Sequence, residues 1–190
     1  MTDDLYADPP PWDIGRPQPA LRALAEAGEV RGRVLDVGCG TGEHALMAAA
    51  LGLDATGVDL AATALRTAEA KARDRGLSAR FVRQDARHLT DLGESFDTAL
   101  DCGLFHALAP GDRMAFAGGL RSVLRPGGRY LMLAFSDRES GDWEPHRLPR
   151  EAITGAFTEG WRIDSVERAT IEVTVRPDGV PAWLATLTRA

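Results

Sequence analysis

Cysteine is scarce in this chain: 190 residues contain two, Cys39 and Cys102. Each lies in an apolar or glycine-rich run, so no disulfide framework is suggested. Cys102 with His106 is the nearest approach to a ligand cluster. That is too few groups for a zinc site, and no metal is expected. Basic charge is also short, with 22 Lys and Arg against 28 Asp and Glu and a net charge of −6. A nucleic-acid binder usually shows a basic footprint, so no nucleic-acid partner is expected. No run approaches the ~20 apolar residues of a membrane span. The start, MTDDLYADPPPWD, lacks the basic and apolar regions of a secretory signal. A cytoplasmic protein without a membrane partner is the economical reading. The length suits one domain, and a hydrophobic fraction of 44% can fill its core.

What is present is an alternation of strand-like and helix-like stretches. Prolines at 9, 10, 11, 17 and 19 prevent a regular start, so residues 1–19 read as an irregular arm. Helix is expected at Ala20–Ala27, Glu43–Leu51, Ala61–Arg75, Asp112–Leu124 and Arg150–Phe157. Strand is expected at Arg33–Val37, Asp54–Asp59, Ala79–Gln84, Phe96–Asp101 and Arg129–Phe135. Trp161–Arg168, which Ile171–Val175 could extend, and Pro181–Thr188 read as a late antiparallel hairpin turning at Pro177-Asp178-Gly179. Such alternation predicts an α/β fold, mostly parallel, with that hairpin added at the C-terminal end.

The chemistry-bearing segment is Asp36-Val37-Gly38-Cys39-Gly40-Thr41-Gly42, between a strand and a helix. Glycines let backbone approach a ligand, and a helix start offers free N–H groups to an anion. A P-loop is excluded because Gly-Lys-Ser/Thr is missing. The dinucleotide pattern fits at Gly38 and Gly40 but meets Glu43 at its third position, where a carboxylate would face a pyrophosphate. An ordinary tight turn is the bland alternative. Asp59, closing the second strand, can accept ribose hydroxyls or cap the next helix.

The loop VLDVGCGTG at Val34–Gly42, with Asp59, Gln84-Asp85-Ala86 and Leu124-Arg125-Pro126-Gly127-Gly128, resembles the class I S-adenosylmethionine-dependent methyltransferases over most of the chain. The resemblance implies a Rossmann-like, doubly wound, seven-stranded sheet and S-adenosyl-L-methionine as cofactor. It also implies cofactor contacts at Asp36, Gly38, Cys39, Gly40, Asp59, Leu60, Asp85, Ala86 and Cys102. Asp36 would sit beneath the loop, and Asp85 and Ala86 would reach the adenine. An oxidoreductase using a nicotinamide cofactor and a non-catalytic cofactor-binding protein remain alternatives.

The acceptor side reads less sharply. Ligands of open α/β sheets lie beyond the carboxyl ends of the strands. Asp101-Cys102-Gly103-Leu104-Phe105-His106 should therefore line that cavity. His106 is a candidate general base or a helix-packing residue, and Asp101 a candidate base or polar wall. The run Pro10–Pro19 is similar to the lead segment of thiopurine, thiol and halide methyltransferases, which implies a small-molecule acceptor. In it Trp12 could cover a sulfonium and Arg16 could pair with a carboxylate. Residues 136–149, with Arg138, Trp143, His146 and Arg147, could wall the acceptor site or form a surface loop.

Overall fold

The computed structural model of the chain describes Tyr6, residues 8–138 and residues 147–190. Five parallel strands come first. They are β1 (Arg33–Val37), β2 (Asp54–Asp59), β3 (Arg80–Arg83), β4 (Phe96–Cys102) and β5 (Leu124–Phe135). Two antiparallel strands follow, β6 (Trp161–Val173) and β7 (Arg176–Arg189). The sheet order is β3-β2-β1-β4-β5-β7-β6, so the last strand inserts between β5 and β6. The strand order reverses at β1 and β4. That switch point is where an open α/β sheet opens a crevice at its carboxyl end.

The sequence builds this sheet because its strands alternate two buried faces. In β5, Tyr130, Met132 and Ala134 pack into one hydrophobic cluster. Leu131, Leu133 and Phe135 pack into the other. The first cluster is closed by helices α5 (Arg113–Val123) and α6 (Arg150–Ala156), through Phe116, Leu120 and Ile153. The second is closed by α1 (Pro19–Glu26) and α2 (Glu43–Ala50), through Leu21 and Ala45. Helix α3 (Ala62–Asp74) buries its alanine face at Ala64, Ala68 and Ala72.

Three local expectations change. The hairpin turns at Thr174-Val175, and Pro177-Asp178-Gly179 lies inside β7. Gly179 has φ +67°, and a Cβ there would stand 2.5 Å from Thr170 Cγ2, so only glycine lets the strands close. Residues 125–128, expected as a turn before β5, are within it; the ladder shifts register between Phe96 and Thr98 to accommodate them. The short helix α4 (Leu104–Ala107) and a 3-10 turn at Ala86–Leu92 were not anticipated. Neither spans enough residues to show a hydrophobic period. Among the described residues no helix is long and apolar enough to cross a membrane.

Candidate active site

The loop after β1 is held by backbone before any side chain acts. Cys39 N donates to Val58 O at 2.9 Å, and Gly42 N to Cys39 O at 2.9 Å. Gly40 has φ +52° and donates its N–H to Asp59 Oδ2 at 2.9 Å. Asp59 Oδ1 accepts from Ala61 N at 2.8 Å. Asp59 thus both ties loop to strand and holds the amide that leads into α3, as its reading as a cap for the next helix expects. Each carboxylate oxygen keeps a second lone pair, the acceptor capacity that a ribose diol needs. Leu60 beside it is an exposed apolar side chain, 37% accessible.

Asp36 lies under the loop, 1% exposed, and accepts from Ala45 N at 3.0 Å. Burial pushes its carboxyl up to about 7. Gly38 stands against Leu104, the first residue of α4. The Cys39 thiol packs by Gly57, and burial pushes its pKa up. Cys39 therefore offers backbone rather than a nucleophile. Gln84 N donates to Asp59 O, which fixes the end of β3 beside the end of β2. Asp85 caps the 3-10 turn through Arg87 N at 2.9 Å and pairs with the Arg87 guanidinium at 2.6 Å. That pair holds its carboxyl below the usual range. Ala86 follows, buried.

Glu43 departs from the expectation that it would face a bound phosphate. It is 6% exposed and turned onto α3, with Lys71 Nζ at 2.8 Å and Arg75 at 2.8 and 2.9 Å. Burial alone would raise its pKa, but these two cations outweigh it and hold the carboxyl low. Turned onto Lys71 and Arg75, Glu43 would not oppose a pyrophosphate at the loop.

The arm closes over the loop. The Tyr6 hydroxyl lies 2.7 Å from where a Cβ on Gly40 would be, and it accepts from the Trp12 indole. Burial and the nearby Asp59 charge push the phenol pKa up, so it stays protonated. Trp12 remains 39% exposed. Asp13 accepts from Thr41 Oγ1 at 2.8 Å and stands 3.6 Å from Lys71 Nζ. Pro11 O accepts from Thr174 N at 2.8 Å, and Gln18 exchanges two bonds with the Glu172 backbone. Gln18 N also donates to His44 Nε2 at 3.1 Å, and burial keeps that imidazole neutral, with its pKa down to about 4. Arg16 does not reach the loop; its guanidinium pairs with Glu172 on β6. Sequence reasoning missed Tyr6, Thr41, Gln18 and Lys71. Of these, only Tyr6 carried a signal, as an aromatic residue in an otherwise acidic and proline-rich arm.

At the end of β4, Asp101 is 0% exposed. It accepts from Leu104 N at 2.8 Å, Phe105 N at 3.1 Å and Tyr130 Oη at 2.6 Å. Burial pushes its pKa up to about 6 despite those donors. This geometry is that of a buried cap for α4, not of a base open to an acceptor. Cys102 is half-buried, its thiol pKa pushed up by burial and by Asp101 and Asp36. His106 is 4% exposed and stacks on Phe135 with centroids 4.5 Å apart. Its Nδ1 accepts from Phe135 N at 3.1 Å. Arg138 lines a hollow with Arg168, Arg176 and Asp178, none of them from the glycine loop. Trp143 and His146 lie outside the described residues. Among the described residues no three His, Cys, Asp or Glu side chains are grouped to hold a metal ion.

A seven-stranded sheet with β7 between β5 and β6, and an acid-anchored glycine loop at the switch point, define a class I S-adenosylmethionine-dependent methyltransferase. Residues 34–128 match the family described as Methyltransferase domain, and the chain belongs to that family. It is 33% identical to the 2-heptyl-1-hydroxyquinolin-4(1H)-one methyltransferase of Mycobacteroides abscessus, over 85% of this chain and 73% of that one. It is 31% identical to an Arabidopsis thaliana protein named "Probable thiol methyltransferase 2", over 73% and 62% of the two chains. A solved structure titled "Conversion of a Disulfide Bond into a Thioacetal Group during Echinomycin Biosynthesis" superposes with a TM-score of 0.89. Its identity is 37%, and the match covers 99% of this chain and 90% of that one. The cofactor is S-adenosyl-L-methionine. The residues present fit it: a Cβ-free approach at Gly40, spare lone pairs on Asp59, and the exposed face of Leu60.

Proposed function

We propose that the protein moves a methyl group to an O, N or S atom of a small-molecule acceptor bound beyond the carboxyl ends of β4 and β5. The observation that carries this is the arm. Tyr6 and Trp12 lie over the glycine loop, and Asp13 and Gln18 fasten the chain on either side of Arg16. A crevice roofed this way suits a compact molecule rather than a nucleic-acid strand. The named acceptors of the two relatives, an N-hydroxyquinolone and a thiol, and the sulfur chemistry in the neighbour's title are of that kind. All seven strands in one sheet support reading residues 20–190 as one domain with residues 1–19 as its arm.

The geometry supports the following roles. Asp59 would take the ribose hydroxyls with its free lone pairs, and Leu60 and Ala86 would flank the adenine. Backbone at Gly38 and Gly40 would approach the methionine portion. Asp36 would hold the loop through α2, and Cys102 would border the reacting end. Tyr6 and Trp12 would exclude water, which strengthens alignment and electrostatics alike. The bound cofactor supplies a methyl on a positively charged sulfur, whose departure leaves a neutral group. Little covalent help is needed, and positioning can be worth about 7–11 kcal/mol.

The test is transfer of labelled methyl from S-adenosylmethionine to a panel of phenols, N-hydroxy heterocycles, thiols and amines. Labelled product from at least one small acceptor is expected. A protein that binds cofactor yet labels only RNA or protein would overturn the reading. Removal of residues 1–16 should lower the rate at least tenfold, and an unchanged rate would remove the arm from the site.

A further inference from the structure

Where β6 and β7 run past the carboxyl end of β5, the structure holds a hollow of about 360 Å³. The ladders set its position. Ser136 N, at the end of β5, donates to Pro181 O on β7, and Pro181 pairs with Thr170 on β6. Side chains alternate along β6, so Val166, Arg168 and Thr170 share one face while Ala169 and Ile171 take the other. Val166 is buried in the first cluster and Ile171 in the second, but Arg168 and Thr170 are exposed. The β7 side leaves its regular register here. Ile171 pairs with Val180, and the next pair is Val173 with Arg176. Pro177, Asp178 and Gly179 thus stand opposite Glu172 alone. A bulge of this kind re-aims the side chains around it. Arg176 and Asp178 thereby line the same hollow as Arg168, and Arg138 joins them from the chain that leaves β5.

The charge of this hollow is opposite to that of the chain. Three guanidinia meet one carboxylate, in a protein of net charge −6. Among the described residues Arg138 and Arg168 pair neither with Asp178 nor with any other carboxylate. Arg176 is half-buried and has a further interaction, so it counts here as charge alone. We infer that the hollow is a second ligand site, one that takes the phosphate of a phosphate monoester. Such a group brings nearly two negative charges and three acceptor oxygens to one point near neutral pH. Two planar arginine forks can each take a pair of those oxygens, and the excess of two positive charges is matched. A carboxylate supplies half the charge and only one pair of oxygens. Thr170 adds a hydroxyl to the same wall. The volume is at the low end for ligand pockets and admits a phosphate with a small organic group. The lining takes nothing from the glycine loop. β7 and β6 stand two and three strands from β4, roughly 10–14 Å away at the strand spacing. The site is therefore separate from the cofactor crevice and independent of the methyl-transfer reading.

The test is a titration of the full chain in phosphate-free buffer at about 0.15 M salt, followed by 15N–1H NMR of the backbone amides. Phenyl phosphate is the probe. Methyl phenyl phosphate, its singly charged diester, and benzoate are the controls. Phenyl phosphate should give saturable shifts at Ala169, Thr170 and Gly179, and both controls should bind about fivefold more weakly or worse. Arg138 and Arg168 are exposed, so Arg138→Gln and Arg168→Gln should fold, and each should weaken phenyl phosphate about fivefold or more. S-adenosylhomocysteine should bind Arg168→Gln as it binds wild type, and it should not displace phenyl phosphate. Inorganic phosphate distinguishes two sources of the group. Affinity equal to that of the ester would support the free ion as ligand, and weaker affinity would support a phosphorylated small molecule. No saturable shift at these amides up to about 10 mM phenyl phosphate overturns the inference, since that is weaker than roughly 3 kcal/mol of binding. Equal affinity for the diester, or for either variant, overturns it too. So do shifts centred on Gly38–Gly42 that S-adenosylhomocysteine abolishes, which would put the anion in the cofactor crevice. A protein that binds phenyl phosphate here yet methylates no member of the earlier panel would lose the methyl-transfer reading and keep this site.

Discussion

Replacing Asp36 by Asn tests how the fold treats a carboxyl buried under the cofactor loop. Asn matches Asp in size, and its Oδ1 can still accept from Ala45 N, now 3.0 Å from Asp36 Oδ2. Only the ionisable group is removed. In the native protein burial keeps this carboxyl protonated up to about pH 7. In the unfolded chain it would release its proton near 3.9. Between those values the native state binds more protons than the unfolded state, so wild-type stability falls as pH rises through the window. A displacement of about three pH units corresponds to roughly 4 kcal/mol, at about 1.4 kcal/mol for each. That is a ceiling, because water entry and relaxation soften a buried charge. Urea unfolding of wild type and Asp36→Asn at several pH values between about 4 and 8 gives the difference directly. Groups common to both chains cancel in it. The variant should gain about 2–4 kcal/mol on wild type from the acid end to the alkaline end. Parallel curves would refute the burial argument. Divergence of the opposite sign would mean that Asp36 is ionised and compensated in the native state.

Other outcomes follow from single contacts. Glu43→Gln leaves Lys71 and Arg75 facing a neutral group. It should cost roughly 1–3 kcal/mol by urea unfolding, less than a fully buried pair because Arg75 is 39% exposed. An unchanged midpoint would show the cluster to be dispensable. Among the described residues the buried Ser136 hydroxyl has no hydrogen-bond partner, so Ser136→Ala should raise stability by about 1 kcal/mol. A loss would mean that the hydroxyl is satisfied in solution. Gly40→Ala places a Cβ 2.7 Å from the Tyr6 hydroxyl at φ +52°. It should lift the arm, seen as faster proteolysis between residues 6 and 18, and weaken cofactor binding at least tenfold. Equal proteolysis rates would count against arm closure.

Much of the fold was legible because β1 and β4 are short apolar runs with glycine close to each end, and α2 and α3 carry alanine faces. The glycine loop, Asp59 and Asp85 could be placed because strand ends follow from those runs. What escaped was geometry that depends on partners distant in sequence. Glu43 looked like an obstacle to phosphate, but Lys71 and Arg75 lie about 30 residues on, and only the fold turns it toward them. Arg16 looked free for a carboxylate, and Glu172 claims it. Asp101 and His106 are each candidate bases by residue type. The α4 amides and the Tyr130 hydroxyl fill the carboxylate of the first, and the Phe135 amide holds Nδ1 of the second. Pro177-Asp178-Gly179 carried a genuine turn signal, spent on a bulge within β7 rather than on the hairpin end.

The central claim is that the loop at Gly38–Gly42, anchored by Asp59, holds the cofactor. Isothermal titration with S-adenosylhomocysteine, on wild type and on Asp59→Ala, tests it most directly. One molecule bound per chain is expected, with affinity at least tenfold weaker in the variant. A folded wild type that shows no heat at millimolar ligand, or a variant that binds as tightly as wild type, would contradict the account.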